Sequence, residues 1–230
     1  MQILRHRYLL AAAIVFFSVN LFSLVAAESY EPLDKDDVNA FDRLAIFPYS
    51  KGQDIAADLT CYSAIATPSV LIFVAPYEDW LELGLLYAGS SAISFGTGEL
   101  LKRTIPRDRP YMYCDDPPES KIDSGDSEKS FPSRHTIMAF NGAGFTTAVF
   151  ALKYPDSPYR VPAVATAYGL AFATATLRVT GGSHFTSDVI AGALIGSATG
   201  YLVPWVNYRL IKRGVTVNAS PAEMALTFRY

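Results

Sequence analysis

Five apolar stretches between residues 59 and 205 constrain the fold of this chain more than any other feature. Each is close to the length of about 20 residues that a helix needs to cross a bilayer, and several are a little shorter. Gly, Ala, Ser and Thr are frequent in them, and such small residues let helix backbones approach closely. We therefore expect an all-α fold, a helical bundle with about five membrane-associated core helices. The stretches are Leu59–Ala75, Leu83–Leu101, Ile137–Leu152, Pro162–Leu177 and Val189–Trp205.

The composition leaves membrane insertion and a water-soluble core both open. Half of the residues are hydrophobic, 18% are charged, and the mean hydropathy of +0.19 is mild for a chain threaded entirely through lipid. A soluble all-α core built from apolar helices is therefore the alternative to membrane insertion. The net charge of -3 gives no global basic field, so we expect no nucleic-acid partner.

Residues 1–27 are predicted to be a targeting segment. Arg5 and Arg7 precede an apolar run over residues 8–25, and the small residues Ala26 and Ala27 follow it. A cleaved signal peptide is the first interpretation, and an uncleaved anchor helix is the alternative. Both interpretations place the next segment outside the cytoplasm, because the basic flank stays inside.

The rest of the chain divides into a polar N-terminal segment (28–57), a helical domain (58–206) and a C-terminal tail (207–230). In the polar segment we expect a short amphipathic helix around Val38–Phe47, ended by the turn-forming residues Pro48–Gly52. In the tail, apolar and polar residues alternate on both sides of Ser220-Pro221, which indicates a β-hairpin.

The two cysteines indicate no particular chemistry. Cys61 and Cys114 are interpreted as two separate thiols, with one disulfide as the alternative in an oxidising compartment. No Cys or His cluster has the spacing of a zinc site, so we expect no metal and no cofactor.

Three polar clusters, over residues 102–110, 131–136 and 178–188, lie at the ends of apolar stretches. His135 and His184, the only histidines beyond the targeting segment, each lie in one of these clusters near an arginine and a hydroxyl residue. Taken singly, each cluster has a structural interpretation, because cations anchor membrane helices at the interface and Ser caps helix starts.

Taken together, the clusters fit a site that holds a phosphate dianion. Lys102, Arg109 and Arg178 suit the charge of the phosphoryl oxygens, which several fixed cationic donors must surround. Ser133 and the N–H groups of the helix that follows it add donors aimed by the helix dipole.

The same clusters supply groups for attack on phosphorus. An imidazole nucleophile needs its second ring nitrogen held by a carboxylate, and Asp188 lies one helical turn beyond His184. The second imidazole, His135, can protonate the departing oxygen. We therefore expect His184, His135 and Asp188 to be the catalytic residues.

The three clusters resemble the three-part signature of the type-2 phosphatidic acid phosphatase and vanadium haloperoxidase superfamily. That signature is Lys, six residues, Arg-Pro; then Pro-Ser-Gly-His; then Ser-Arg, five residues, His, three residues, Asp. The matching residues are Lys102, Arg109, Pro110, Pro132, Ser133, His135, Arg178, His184 and Asp188. Two positions depart from it, since Arg134 replaces the usual Gly and Leu177 the usual Ser. Three ordered parts with fixed spacing make a specific signal.

The resemblance implies a double displacement without a metal. His184 would attack phosphorus, His135 would protonate the leaving oxygen, Asp188 would orient His184, and water would then hydrolyse the phosphohistidine. The residues expected to bind the substrate are Lys102, Arg109, Ser133, Arg134 and Arg178.

The function that follows is a lipid phosphate phosphatase of a bacterial inner membrane, with its site on the periplasmic face and a phosphorylated lipid as substrate. Basic residues in the opposite connections and after the last stretch agree with this orientation. A soluble, secreted acid phosphatase of broad specificity is the main alternative. A non-catalytic lipid-binding scaffold and vanadate-dependent halide oxidation are further ones.

Overall fold

The computed structural model describes residues 33–115, 117–212, 215–219 and 224–228. The predicted targeting segment therefore lies outside the described residues. The α-helices are α1 (Ala40–Arg43), α2 (Lys51–Ala66), α3 (Trp80–Thr104), α4 (Glu119–Asp123), α5 (Arg134–Lys153), α6 (Arg160–Thr180) and α7 (Thr186–Lys212). Short 3-10 turns cover Lys35–Asp37, Thr67–Phe73, Tyr77–Asp79 and Pro110–Tyr113.

The all-helical prediction is confirmed, and each of the five apolar stretches lies in one of the long helices α2, α3, α5, α6 and α7 or in the turn that continues it. Helix α5 is the centre of the bundle because it contacts all four of the others. Its residues are small or apolar on every side, and most of them are buried. A helix that is apolar all round is stable only when it is enclosed in this way.

Helices α5 and α7 approach each other through glycines. A Cβ at Gly196 would lie 2.1 Å from the carbonyl oxygen of Ile137, and a Cβ at Gly200 would lie 2.4 Å from that of Asn141. Between these helices and α3, the side-chain amide of Asn141 donates to the hydroxyl of Ser90 at 2.6 Å. The small residues thus permit the close backbone approach that their spacing predicted.

Helix α2 begins earlier than the sequence predicted. Its first residue is Lys51, inside the segment interpreted as a break. The hydroxyl of Ser50 accepts a hydrogen bond from the backbone N–H of Gln53 at 3.4 Å, so the polar segment caps the helix start. The predicted helix around Val38–Phe47 is present only as the four-residue α1. This difference matters because the first two turns of α2 carry side chains to the site described below.

Two segments near the C-terminal end, β1 (Val215–Ala219) and β2 (Met224–Phe228), pair antiparallel. The register runs from Val215 opposite Phe228 to Ala219 opposite Met224. The turn between them lies outside the described residues, so the predicted hairpin stays a prediction.

Two described segments, Lys51–Phe73 and Thr186–Leu210, are long and apolar enough to cross a membrane. That is fewer than the five spans that the apolar stretches suggested. The two cysteines are not joined by a disulfide, which confirms their interpretation as separate thiols.

Candidate active site

A cavity of about 650 Å³ opens where the C-terminal ends of α3 and α6 meet the N-terminal ends of α2 and α5. Six of the eight residues predicted for the site line it: Lys102, Arg109, Arg134, His135, Arg178 and His184. The other two, Ser133 and Asp188, are buried behind the cavity wall. The fold therefore brings together three clusters that are far apart in the sequence.

The imidazole of His184 is held in the loop between α6 and α7 and is 1% exposed. Its Nε2 lies 3.4 Å from Nη1 of Arg109, and its Nδ1 lies 3.5 Å from Oδ2 of Asp188. Burial, and then the charges of Arg109 and Arg178, hold the pKa of His184 well below its usual value. The imidazole is consequently neutral and keeps a lone pair for attack.

The carboxylate of Asp188 is fixed by donors from three parts of the chain. Its Oδ2 accepts from the backbone N–H of Phe185 at 2.8 Å and from the hydroxyl of Ser130 at 2.5 Å. Its Oδ1 accepts from Nη1 of Arg107 at 2.6 Å. Ser130 and Arg107 were not predicted as site residues, although both lie within or beside the polar clusters.

The ammonium group of Lys102, in the last turn of α3, is nearly buried and donates to the carbonyl oxygen of Lys129. Burial, and then the charge of Arg109, lower the pKa of Lys102 to about 7. Lys102 therefore changes charge near neutral pH when the cavity holds no phosphate.

Each buried arginine of the cavity is paired with a carboxylate. Nη2 of Arg109 donates to Asp126 at 2.8 Å, and its Nη1 donates to the carbonyl oxygen of Ser183 at 2.9 Å. Nη1 of Arg178 donates to Asp54 in the first turn of α2. These pairs fix the guanidinium groups before a substrate arrives, and fixed donors are the most effective in stabilising developing charge. Neither Asp54 nor Asp126 was predicted as a site residue, because neither belongs to one of the three polar clusters.

His135, the second residue of α5, is the more accessible histidine, with 27% of its side chain exposed. Its Nε2 lies 2.9 Å from Oδ1 of Asp58, an α2 residue that the sequence did not indicate. Burial, and then the charges of Arg178 and Arg134, lower the pKa of His135 to about 3. A phosphate dianion between these cations would offset their charge, and His135 would then protonate more readily.

Ser133 and Arg134 take different places at the start of α5. The hydroxyl of Ser133 accepts from the N–H of Thr136 at 3.5 Å, so Ser133 caps the start of α5. Helix capping is the structural role that the sequence indicated for it. Its own N–H donates to the carbonyl oxygen of Asp188 at 3.1 Å. Arg134 lies at the cavity wall, where Nη1 is 3.2 Å from Glu99.

Within the described parts of the chain, no group of three or more His, Cys, Asp or Glu side chains is placed to hold a metal ion. The expectation that the reaction needs no metal stays a prediction. The cavity wall itself carries more cations than carboxylates, which suits an anionic ligand.

The sequence model of the PAP2 superfamily matches residues 82–212, more than half of the chain. This chain belongs to the PAP2 superfamily. The resemblance predicted from the three clusters is confirmed, and the PAP2 match contains all eight predicted site residues. It does not include the N-terminal segment or α2, which supply Asp54 and Asp58.

Two known proteins, one of assigned activity and one of solved structure, are similar to this chain. A lipid A 1-phosphatase of Rhizobium johnstonii is 38% identical over 125 residues, which are 54% of this chain and 46% of that protein. The PAP2 chain thus spans about half the length of this relative. The crystal structure of Aquifex aeolicus LpxE aligns with a TM-score of 0.48 and 23% identity, over 70% of this chain and 90% of that one.

Proposed function

We propose that this chain is a metal-independent phosphatase that hydrolyses a phosphomonoester or diphosphate of a lipid through a phosphohistidine. The observation that carries the proposal is the buried, neutral imidazole of His184. It lies at a cavity lined by Lys102, Arg109 and Arg178 and has the carboxylate of Asp188 on its far side. A neutral imidazole among fixed cations is the arrangement that nucleophilic attack on a phosphoryl group requires.

In the first step, Nε2 of His184 donates its lone pair to phosphorus, and the bond from phosphorus to the leaving oxygen breaks. His135, protonated once the dianion occupies the cavity, gives its proton to that oxygen. With its proton on Nδ1, 3.5 Å from Oδ2 of Asp188, His184 would have the negative charge of that carboxylate beside the imidazolium that the new P–N bond creates. The products of this step are the alcohol, or a phosphate, and the phosphorylated enzyme.

In the second step, water attacks phosphorus and the P–N bond breaks. His135, now neutral, accepts the proton of the attacking water, and inorganic phosphate leaves. His184 returns to its neutral form. Lys102, Arg109 and Arg178 stabilise the charge on the phosphoryl oxygens in both steps.

The outer surface of the bundle supports a lipid environment. Large apolar side chains are exposed along the long helices, and a soluble monomer rarely shows so many. They include Leu59, Tyr62, Leu81, Leu85, Ile93, Phe95, Leu100, Phe172, Ile190, Leu194, Leu202 and Val206. The similar Rhizobium protein is a lipid A 1-phosphatase, which supports a phosphorylated lipid as substrate.

The charge distribution supports an orientation in a bacterial inner membrane. Lys153, Arg160, Arg209 and Lys212 lie at the helix ends away from the cavity. If the cations at the cavity bind the phosphoryl group and their carboxylate partners, these four are the basic residues that mark the cytoplasmic side, and the cavity would face the periplasm.

A phosphate-release panel on detergent-purified protein tests the proposal, with lipid phosphates and water-soluble esters compared side by side. Arg178→Gln should lower the rate at least about a hundredfold, the usual loss for one positioned donor. The matched control is Arg160→Gln, because Arg160 begins the same helix at the end away from the cavity and is exposed. Vanadate should inhibit, and EDTA should not. Equal rates for the two variants, or full inhibition by EDTA, would contradict the proposal.

A soluble, secreted acid phosphatase is the second candidate. The observation in its favour is that only two described segments qualify as membrane spans. Release of active protein by osmotic shock, extraction by carbonate without detergent, and turnover of small esters alone would establish it in place of the lipid enzyme.

A further inference from the structure

The N-terminal segment, residues 33–50, lies directly against the loop that joins α6 to α7. The backbone N–H of Ser50 donates to the carbonyl oxygen of Gly181 at 3.2 Å. Gly182 has a φ of +72°, and a Cβ there would lie 2.4 Å from the carbonyl oxygen of Phe47. Only glycine fits such a backbone conformation at such a distance. The loop that carries the nucleophile is thus held by a segment outside the matched superfamily region.

Asp42 of α1 is the charged group that this segment brings to the loop, and it is 1% exposed. Its carboxylate accepts from the N–H and the hydroxyl of Ser187 at 2.9 and 2.6 Å, and from Nη2 of Arg107 at 2.8 Å. Burial alone would raise the pKa of Asp42, but the hydrogen bonds from Ser187 and Arg107 outweigh burial and lower it to about 2. Asp42 is therefore ionised at every pH at which the protein would work.

Arg107 connects Asp42 to the carboxylate behind the nucleophile. Its Nη2 binds Asp42, while its Nη1 binds Oδ1 of Asp188 at 2.6 Å and the hydroxyl of Ser187 at 2.7 Å. The guanidinium carbon also lies 4.2 Å from the ring centre of Phe185. The planar guanidinium group has N–H donors on two sides and can therefore bridge two carboxylates, whereas the single ammonium group of a lysine cannot do so in the same geometry.

The bridge takes part in orienting the carboxylate of Asp188 beside the imidazole. Arg107 binds Oδ1, while Oδ2, which Ser130 and the N–H of Phe185 bind, lies 3.5 Å from Nδ1 of His184. A fully buried carboxylate stays charged only when a cation and hydrogen bonds compensate for its lost hydration. Arg107 supplies that cation, and Asp42 holds the long Arg107 side chain in place.

We propose that Asp42 and Arg107 are positioning residues for the nucleophile, which keep Asp188 ionised and oriented on Nδ1 of His184. The inference rests on the proposed function, since it assigns a role in the attack by His184. It adds that part of the catalytic arrangement comes from the segment before the matched superfamily region.

Kinetics of Asp42→Asn and Arg107→Lys test the proposal. Each variant should lower kcat about tenfold to a hundredfold, as loss of an outer partner of a reacting group commonly does, with KM changed less than about twofold. The matched control is Asp36→Asn in the same segment, because Asp36 forms an exposed ion pair with Arg43 at 2.8 Å. This control should keep the wild-type kcat.

A double-mutant cycle separates positioning from general destabilisation. If Asp42 and Arg107 act through Asp188, their substitutions should change kcat less than about twofold in an Asp188→Asn background. If either substitution costs as much there as in the wild type, or leaves the wild-type kcat intact, the proposal is overturned. If Asp42→Asn does not fold, the cycle is measured with Arg107→Lys alone.

The tautomer of His184 can be measured by NMR spectroscopy without any turnover of substrate. In ¹⁵N-histidine-labelled protein, His184 should be the Nδ1-protonated tautomer in the wild type, and this tautomer should lose population in Asp42→Asn and Arg107→Lys. An unchanged tautomer in both variants overturns the inference. If the wild type releases no phosphate from any substrate, the proposed function fails, and the tautomer comparison alone decides whether these residues position His184.

Discussion

The two histidines of the cavity lie in different surroundings. His184 is enclosed, with Arg109 beside Nε2 and Asp188 beside Nδ1, and a chain of buried charges continues behind it. His135 reaches the open cavity, and its one ion pair is to Asp58, which is itself 42% exposed. The lowered pKa values keep both imidazoles neutral, but only His135 is accessible enough to meet a leaving group or a water molecule.

This difference in surroundings suits the two roles proposed for the histidines. A nucleophile must keep one orientation and one tautomer through both steps, and burial with fixed partners provides that. A general acid must gain and lose a proton in each cycle, and an accessible site beside exchangeable charges provides that. Variants of the two histidines should therefore differ in kind as well as in size.

The largest effect is expected for His184→Ala. Loss of a covalent nucleophile commonly lowers kcat by about four to six orders of magnitude. Phosphate release from a lipid phosphate measures it, with thermal unfolding as the check on folding. A rate within tenfold of the wild type would place the nucleophile elsewhere.

A smaller, substrate-dependent effect is expected for His135→Gln. Loss of a general acid should lower the rate on alkyl phosphates by about 10²–10⁴-fold, because an alkoxide leaves poorly without a proton. Nitrophenyl phosphate should lose much less, because its leaving group needs no proton. Equal losses on the two substrates would show that His135 does not protonate the leaving oxygen.

Lys102→Arg should change the pH profile more than the maximal rate. The pKa of Lys102 is about 7 in the substrate-free enzyme, so the wild type loses the ammonium as pH rises through 7. Wild-type kcat/KM should then fall about tenfold per pH unit above that point, whereas an arginine stays charged. If kcat/KM of Lys102→Arg still falls above pH 7 as in the wild type, the fall is due to the titration of another group.

The smallest effect concerns stability. The pKa of His135 is about 3 in the folded protein, below its usual value of 6.5, so the unfolded chain binds the proton first as pH falls. The free energy of unfolding should therefore decline below pH 6.5, and His135 should account for about 2 kcal/mol of that loss by pH 5. The free energy of unfolding of His135→Gln should fall less than that of the wild type between pH 7.5 and 5. Parallel curves for the two proteins would contradict this share.

The local signals in the sequence predicted most of the helices and most of the residues that line the cavity. The lengths of the apolar stretches predicted α3, α5 and α6 to within three residues, whereas α7 continues to Lys212, beyond the predicted end at Trp205. The three motif clusters carry Lys102, His135 and His184 to one cavity. The start of α2 was missed because Ser50 caps it within a segment that contains Pro48 and Gly52, which usually mark a turn.

The carboxylates around the site could not be predicted in the same way. Asp42, Asp54 and Asp58 precede the polar clusters, and their partners lie far along the chain. A single acidic residue in a polar segment has no pattern that identifies its partner, since most such residues are solvated. Only the packing of α1 against the start of α7, and of α2 against α5 and α6, places these charges.

The stereochemistry of phosphoryl transfer tests the phosphohistidine most directly. A substrate whose phosphorus is made chiral with oxygen and sulfur isotopes can be hydrolysed in labelled water, and the configuration of the product can be determined. Attack by His184 followed by attack by water inverts phosphorus twice, so the product should retain its configuration. Inversion would mean that water attacks the substrate directly and that His184 is not the nucleophile.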